Sequence, residues 1–283
     1  MKLLVTGAAG MLGRDVMLAA ANAGHDLVGY GRAELDVTDP GGLDRKLDLE
    51  RPDVVINCAA WTDVDGAETA EEAAFAVNGA GAGNVAAAAG KVEATVLHVS
   101  TDYVFDGAKG SPYVESDQPA PLSAYGRSKL AGEEAVAAAN KRHFIVRSAG
   151  LFGLGGRNFV DTMLRLSEAQ NEVAVVRDQI GSPTYSWHFA YGIVRLIEGI
   201  EYGIHHMAAA GQCSWYEFAR EIFEQAKVEC RVLSITSEEF GAAAPRPAFS
   251  ALTSQREHAI RLPTWQDGLA GYLAQRQAEA ASE

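Results

Sequence analysis

Apolar residues gather in short runs at 2–6, 26–30, 53–57, 94–99 and 143–147, each rich in Val, Leu or Ile and each followed by small or polar residues. Such runs, bounded by turn-forming residues, read as strands. Between them lie segments of helix-forming composition. One spans 11–23, one opens at Asp39-Pro40, one is the Ala-rich stretch 70–89, and one follows Ser123 and carries Tyr125 and Lys129. Asp39 suits an N-cap and Pro40 the first helical position. Strand and helix in regular alternation predict an α/β fold with a doubly wound parallel sheet. Beyond Ser148 the pattern loosens. A Gly-rich loop at 150–156 precedes helices at 158–169, 187–199, 215–226 and 265–277, with strands at 173–176 and 203–207. The expected organisation is a first unit over 1–149, with 185–200 packing back on it, and a smaller α/β unit over 150–283.

A chain of 283 residues can bury a sizeable core, and its 48% hydrophobic and 22% charged residues form an ordinary globular composition. The net charge of −13 argues against nucleic acid and anionic membranes, which want clustered Lys and Arg. Cys58, Cys213 and Cys230 have no C-x-x-C spacing and are expected to be reduced. No stretch approaches the ~20 apolar residues of a membrane span, and no leader pattern opens the chain, so the expected location is cytoplasmic.

The first strand runs into Gly7-Ala-Ala-Gly10-Met11-Leu12-Gly13. Glycines at a strand–turn–helix junction allow a tight turn, close approach of a pyrophosphate, and close helix packing. The phosphates would rest on the free N–H groups of the following helix. A Gly-rich turn without a ligand is the plainer reading of the same residues. With the alternating pattern, the motif makes a Rossmann-type domain the expected fold. Arg32 follows the second strand, where a basic side chain accommodates the phosphate of NADP(H), while Glu34 keeps NAD(H) open. Asp36 either touches the adenine or begins a turn. Small residues at Cys58-Ala59-Ala60 leave room for a cofactor across the sheet edge.

Tyr125 and Lys129 stand at i, i+4, one turn apart on one helix face. A phenol with a pKa near ~10 is a poor proton donor at neutral pH, and an adjacent ammonium favours its ionised form. Arg246 lies between Pro245 and Pro247, which fix the backbone around a fork-shaped donor suited to phosphate, or merely around a surface arginine.

The glycine motif, Thr101 after the fourth strand and Tyr125-x-x-x-Lys129 together resemble the extended short-chain dehydrogenase/reductases. Within them the chain is most similar to the dTDP-4-dehydrorhamnose reductase family. Glu34-Leu-Asp36-Val37-Thr-Asp-Pro40, Ala59-Ala60-Trp-Thr62-Asp-Val-Asp65, Ser100-Thr101-Asp102-Tyr103-Val104-Phe-Asp-Gly107, Asn158-Phe159 and Arg246-Pro-x-x-Ser250 carry that resemblance. It implies reduction, with NADPH, of the C4 ketone of dTDP-4-dehydro-6-deoxy-L-mannose to dTDP-L-rhamnose, a precursor of cell-surface polysaccharide. Thr101, Tyr125 and Lys129 would be catalytic, with Lys129 also holding the nicotinamide ribose and lowering the tyrosine pKa. The cofactor would lie along Gly7, Gly10, Met11, Leu12, Gly13, Arg32, Asp36, Val37, Cys58, Ala59, Ala60 and Thr62. Thr101, Asp102, Tyr103 and Val104 would meet the sugar, and Asn158, Phe159 and Arg246 the nucleotide.

Two departures stand out. Many members carry a tryptophan after the fifth strand, beside the sugar, where this chain reads Ser148-Ala149-Gly150-Leu151. Some build a magnesium-bridged dimer from glutamates; Asp15 stands in the place of one of them, and the Gly181-Ser-Pro-Thr-Tyr-Ser-Trp-His188 stretch has no acidic residue to complete the site. No interface metal is therefore expected, and the protein would be a monomer or a homodimer made differently. The alternatives are a reductase or epimerase of another nucleotide-activated keto sugar, or a non-catalytic NADP-binding regulatory subunit like that of methionine adenosyltransferase. His205 and His206 are neighbours in a strand and point to opposite faces, which disfavours a joint metal site. Trp187, Trp215 and Trp265 are expected to pack helices, and Glu133, Glu134, Glu238 and Glu239 to face solvent.

Overall fold

The structure, a computed structural model, describes residues 1–281. The first half of the chain alternates strand and helix. It runs through β1 (Lys2–Thr6), α1 (Met11–Asn22), β2 (Asp26–Tyr30), α2 (Pro40–Glu50) and β3 (Val54–Asn57). Next come α3 (Val64–Thr69), α4 (Glu71–Phe75), α5 (Ala82–Lys91), β4 (Thr95–Thr101), α6 (Ala124–Ala139) and β5 (His143–Ser148). The second half holds β6 (Leu151–Phe152), α7 (Phe159–Ala169), β7 (Glu172–Val176), β8 (Ile180–Gly181), β9 (Thr184–Tyr185), α8 (Ser186–Leu196) and β10 (Gly203–His206). It ends with β11 (Cys213–Ser214), α9 (Trp215–Ala226), β12 (Arg231–Ile235), α10 (Ser237–Phe240) and α11 (Trp265–Ala280).

Six strands form one parallel sheet in the order β10-β5-β4-β3-β1-β2. The order reverses between β1 and β3, and the crevice beyond their carboxyl ends is where such sheets take ligands. A parallel sheet needs cover on both faces. Leu3, Val5, Ile56 and Val146 pack beneath α1 and α8, while Leu4, Val55, Val96 and Ile145 pack beneath α2 and α5. The segment after residue 185 thus returns to the large sheet as α8, and goes further than residue 200. β10 lies beside β5, with Ile204 opposite Ile145. A second core gathers Phe152, Phe218, Leu269 and Tyr272 among α7, α9 and α11. Residues 282–283, the end of the expected second unit, lie outside the described residues.

The stretch 70–89 is not one regular helix. Between α4 and α5 the backbone widens into a six-residue π-helical turn, Ala76–Gly81. Asn78, buried in that turn, bonds the backbone N–H and C=O of Trp61 at 2.8 and 3.1 Å and Ser128 Oγ at 2.9 Å. The helix departs from regularity where α6 presses closely against it. A Cβ at Gly132 of α6 would lie 2.1 Å from the Asn78 carbonyl oxygen. By helix propensity Gly132→Ala would stabilise by ~1 kcal/mol. Overpacking reverses the sign, and we expect a loss of roughly 1–3 kcal/mol, read from the urea midpoint. A stabilised variant would mean the two helices can part without cost.

Candidate active site

β1 ends at the glycine turn. Gly7 has φ +67°, and a Cβ there would lie 2.7 Å from Ala59 N, so the turn abuts the end of β3. A Cβ at Gly13 would meet the Gly7 carbonyl oxygen at 2.2 Å, so glycine is needed for α1 to start this close to the strand. Gly10 caps α1 without a side chain, which leaves the first N–H groups of the helix facing the crevice. Ala59 and Cys58 flank the turn, and Ala60 and Thr62 are exposed beyond them. Burial pushes the Cys58 thiol up to about 12, so it is not a nucleophile.

Arg32 is exposed after β2, with its Nε 3.9 Å from Asp36. Glu34 folds back to accept from Gly31 N at 2.9 Å. Asp36 accepts from Thr38 N and Oγ1 at 2.9 and 2.8 Å, the turn-forming alternative left open by its sequence position. Val37 is buried beside Leu35 and Leu43, so its side chain serves the core rather than facing a cofactor.

α6 begins at Ser123, whose Oγ accepts from Gly126 N at 3.1 Å. That cap sets Tyr125 against the end of β4, where the Thr101 hydroxyl lies close enough to the phenol to act on its ionisation. Thr101 also donates to Asp102 Oδ1 at 2.9 Å. Tyr103 meets the Tyr125 ring edge-on, with centroids 5.9 Å apart. The catalytic candidates are therefore brought together, but their electrostatics differ from expectation. Burial pushes the Tyr125 phenol up to about 12, with the Thr101 hydroxyl opposing. The Lys129 ammonium does not offset this, because it is turned to the Val99 carbonyl oxygen at 2.7 Å and His98 Nε2 at 3.4 Å. Burial brings Lys129 itself down to about 8, with Glu133 pulling the other way. Burial likewise raises Asp102 to about 6.

Three further expectations change. Val104 is fully buried with Phe105, Tyr113, Ala149 and Leu252, so it lines the core and not the cleft. Asn158 caps α7, accepting from Asp161 N at 2.9 Å and donating to the Gly153 carbonyl oxygen at 2.9 Å. Its amide shapes the preceding loop instead of standing free for a phosphate. Glu133 is buried, 3% exposed, and bound to Arg147 and Ser100. The turn that carries Lys129 into the interior carries Glu133 with it. Glu134 and Glu238 are exposed as expected, and so is Glu239, which also accepts from Thr236 N at 2.7 Å.

Arg246 reaches across to the first half. It donates to Asp65 Oδ1 and Oδ2 at 3.0 and 2.7 Å and hydrogen-bonds Tyr103. Asp65, which also accepts from Ala244 N at 2.9 Å, is lowered from the usual carboxylate value chiefly by its hydrogen bond with Arg246. Phe159 packs on Trp215, with centroids 4.6 Å apart. A Cβ at Gly150, in the Ser148–Leu151 stretch after β5, would lie 3.4 Å from Trp215 Cη2. The aromatic ring beside that backbone comes from α9. Neither Asp65 nor Trp215 is marked as a site residue by the sequence, since the partners of both lie far away along the chain.

Asp15 is buried in α1 and accepts from Ser186 Oγ of α8 at 2.5 Å. Among the described residues no group of three or more His, Cys, Asp or Glu side chains is arranged to hold a metal ion.

A family model described as the RmlD substrate binding domain matches residues 1–278. The chain is 40% identical to the spore coat polysaccharide biosynthesis protein SpsK of Bacillus subtilis (strain 168), covering 97% of this chain and 98% of that protein. It is 42% identical to a dTDP-4-dehydrorhamnose reductase of Mycobacterium tuberculosis, covering 96% and 92%. Among solved structures, dTDP-4-dehydrorhamnose reductase from Bacillus anthracis str. Ames in complex with NADP superposes with a TM-score of 0.94. Sequence identity is 39%, over 97% of this chain and 99% of that one.

Proposed function

This chain belongs to the RmlD substrate binding domain family, and from that premise we infer that it is an NADPH-dependent dTDP-4-dehydrorhamnose reductase. It reduces the C4 ketone of dTDP-4-dehydro-6-deoxy-L-mannose to give dTDP-L-rhamnose. The observation that carries the reading is the assembly of Thr101, Tyr125 and Lys129 beside the glycine turn, at the carboxyl edge of the sheet.

The residues fit the cofactor. The uncapped start of α1 offers N–H groups to a diphosphate, and Gly7 and Gly13 let that start lie close against the ends of β1 and β3. NADPH, when bound, supplies the hydride. Thr101 hydrogen-bonds the ketone oxygen, and Tyr125 gives its proton to that oxygen as negative charge builds. Lys129 holds the ribose hydroxyls with an ammonium already buried at the end of β4. Asp102 and Tyr103 border the sugar. Arg246 and Phe159 take the nucleotide, and the diphosphate competes with Asp65 for the guanidinium. Holding the remote nucleotide fixes the ketone relative to Tyr125. The half built on the large sheet serves the cofactor, and the half around Phe152 and Phe218 serves the sugar nucleotide.

The test is loss of NADPH absorbance with the hexulose generated from dTDP-glucose by upstream enzymes. Oxidation with dTDP-rhamnose as product supports the reading, while NADPH binding without turnover moves it to another keto sugar or to a regulatory subunit. Arg32→Ala should weaken NADPH by roughly tenfold or more, the worth of a charge-assisted contact, and NADH hardly at all. Equal effects on both would remove Arg32 from the cofactor site. Among the described residues no helix is long and apolar enough to cross a membrane. We place the protein in the cytoplasm, as a monomer or as a homodimer without a metal-bridged interface, since Asp15 is enclosed between α1 and α8.

A further inference from the structure

Tyr125, Lys129 and Glu133 occupy i, i+4 and i+8 of α6 and form one ridge. The first two take part in the reaction proposed above; the third does not touch it. The Glu133 carboxylate accepts from Ser100 Oγ at 2.5 Å, Arg147 Nε at 2.9 Å and Arg147 Nη2 at 2.6 Å. Ser100 and Arg147 are register partners on β4 and β5, each one residue before Thr101 and Ser148. The carboxylate therefore ties α6 to both strands directly below the point where Thr101 enters the site. Arg147 is itself fixed, with Nη1 3.4 Å from His206 Nε2 and its guanidinium over the Phe105 ring at 5.1 Å.

A buried ion pair is a poor device for stability alone, because apolar residues of similar volume often do as well or better. Its use here lies in what it fixes. We propose that Glu133 is a positioning residue for the reaction. Its bonds to Ser100 and Arg147 set the rotation of α6 against Thr101, and its negative charge keeps the buried Lys129 ammonium protonated. The inference rests on the roles given above to Tyr125 and Lys129.

The groups facing Lys129 make Glu133 decisive. From α6 come Tyr125 and Glu133, from β4 His98 and the Val99 carbonyl oxygen, and from the end of β3 Cys58. Burial keeps His98 neutral and the Cys58 thiol protonated at neutral pH. The carboxylate acting on Lys129 is that of Glu133. On its other side Glu133 faces Ser100 and Arg147, with His206 beyond them.

The experiment is the pH dependence of kcat and kcat/KM for the wild type, Glu133→Gln and Lys129→Met, with NADPH and the dTDP-hexulose. Glutamine keeps the shape and an acceptor for Ser100 and Arg147 but loses the charge. The basic limb should move to lower pH by about one unit. At pH 8 kcat should fall roughly fivefold, as the protonated fraction of Lys129 drops from about one half to about one tenth, with KM for the sugar nucleotide little changed. A purely structural role would reduce the folded fraction and leave the limb in place, so an unmoved limb in folded Glu133→Gln overturns the proposal. If that variant does not fold, Glu133→Gln/Arg147→Met removes both charges and must show the same downward movement. In Lys129→Met the limb should vanish. A limb that persists there overturns the reading of Lys129 itself, a failure distinct from that of Glu133.

Discussion

Tyr125→Phe is expected to lower kcat by about 10³-fold, within the range for removal of a positioned proton donor, while NADPH binds as before. The phenylalanine ring keeps the edge-on contact with Tyr103 and the place of α6 against β4, so what is removed is the hydroxyl beside Thr101. In the free protein that hydroxyl is held at about 12 by burial. A donor so reluctant to ionise keeps its proton through the whole neutral range and releases it only to a stronger base, such as the alkoxide formed at C4. The measurement pairs steady-state turnover with a fluorescence titration of NADPH. Turnover within tenfold of wild type would take the proton step away from Tyr125.

The largest effect on stability should come from Arg147→Leu. Arg147 is 1% exposed and gives Glu133 two charge-assisted hydrogen bonds. Breaking a buried pair by removing one partner costs about 3–5 kcal/mol, because the other charge is left uncompensated. The double variant Arg147→Leu/Glu133→Leu should regain most of that loss, since two apolar side chains can fill the space of the pair. Urea unfolding of the two single variants and the double variant closes the cycle. A single-variant loss under about 1 kcal/mol would mean that water reaches the pair.

Much of the first half was legible because its signals are local. Apolar runs, a glycine turn and an N-cap are properties of a few adjacent residues, and β1, α1, β3, β4 and α6 follow from them. The Tyr125 and Lys129 pair was equally readable, as an i, i+4 relation on one helix. Glu133 was misjudged because a carboxylate on a helix is usually solvated. The available signal was Arg147, a lone cation in the apolar strand 143–147 that must be paired once buried. The environment of Lys129 was hidden for a different reason, since its ammonium partner is the Val99 carbonyl, and main-chain acceptors leave no mark in sequence. Asp65 with Arg246, and Trp215 with Gly150, join residues far apart in the chain, the first pair across the two halves and the second within the later one, and neither is visible in local sequence. The π-helical turn at Ala76–Gly81 lies where Gly132 brings α6 close to the Asn78 carbonyl, a tertiary contact that helix propensity does not contain.

The placement of β10 bears on how the chain is made. β5 is an inner strand of the finished sheet, yet the partner on its far side is Gly203–His206, more than a helix and several turns later. During synthesis the N-terminal part is exposed first. Until β10 emerges from the ribosome, β5 presents an open edge of unpaired N–H and C=O groups, a template for wrong pairing. α8, which covers the α1 side of the sheet, is equally late. A fragment ending near residue 150 would carry both defects permanently, so a nascent chain stalled there should be a client for chaperones rather than a free-standing domain.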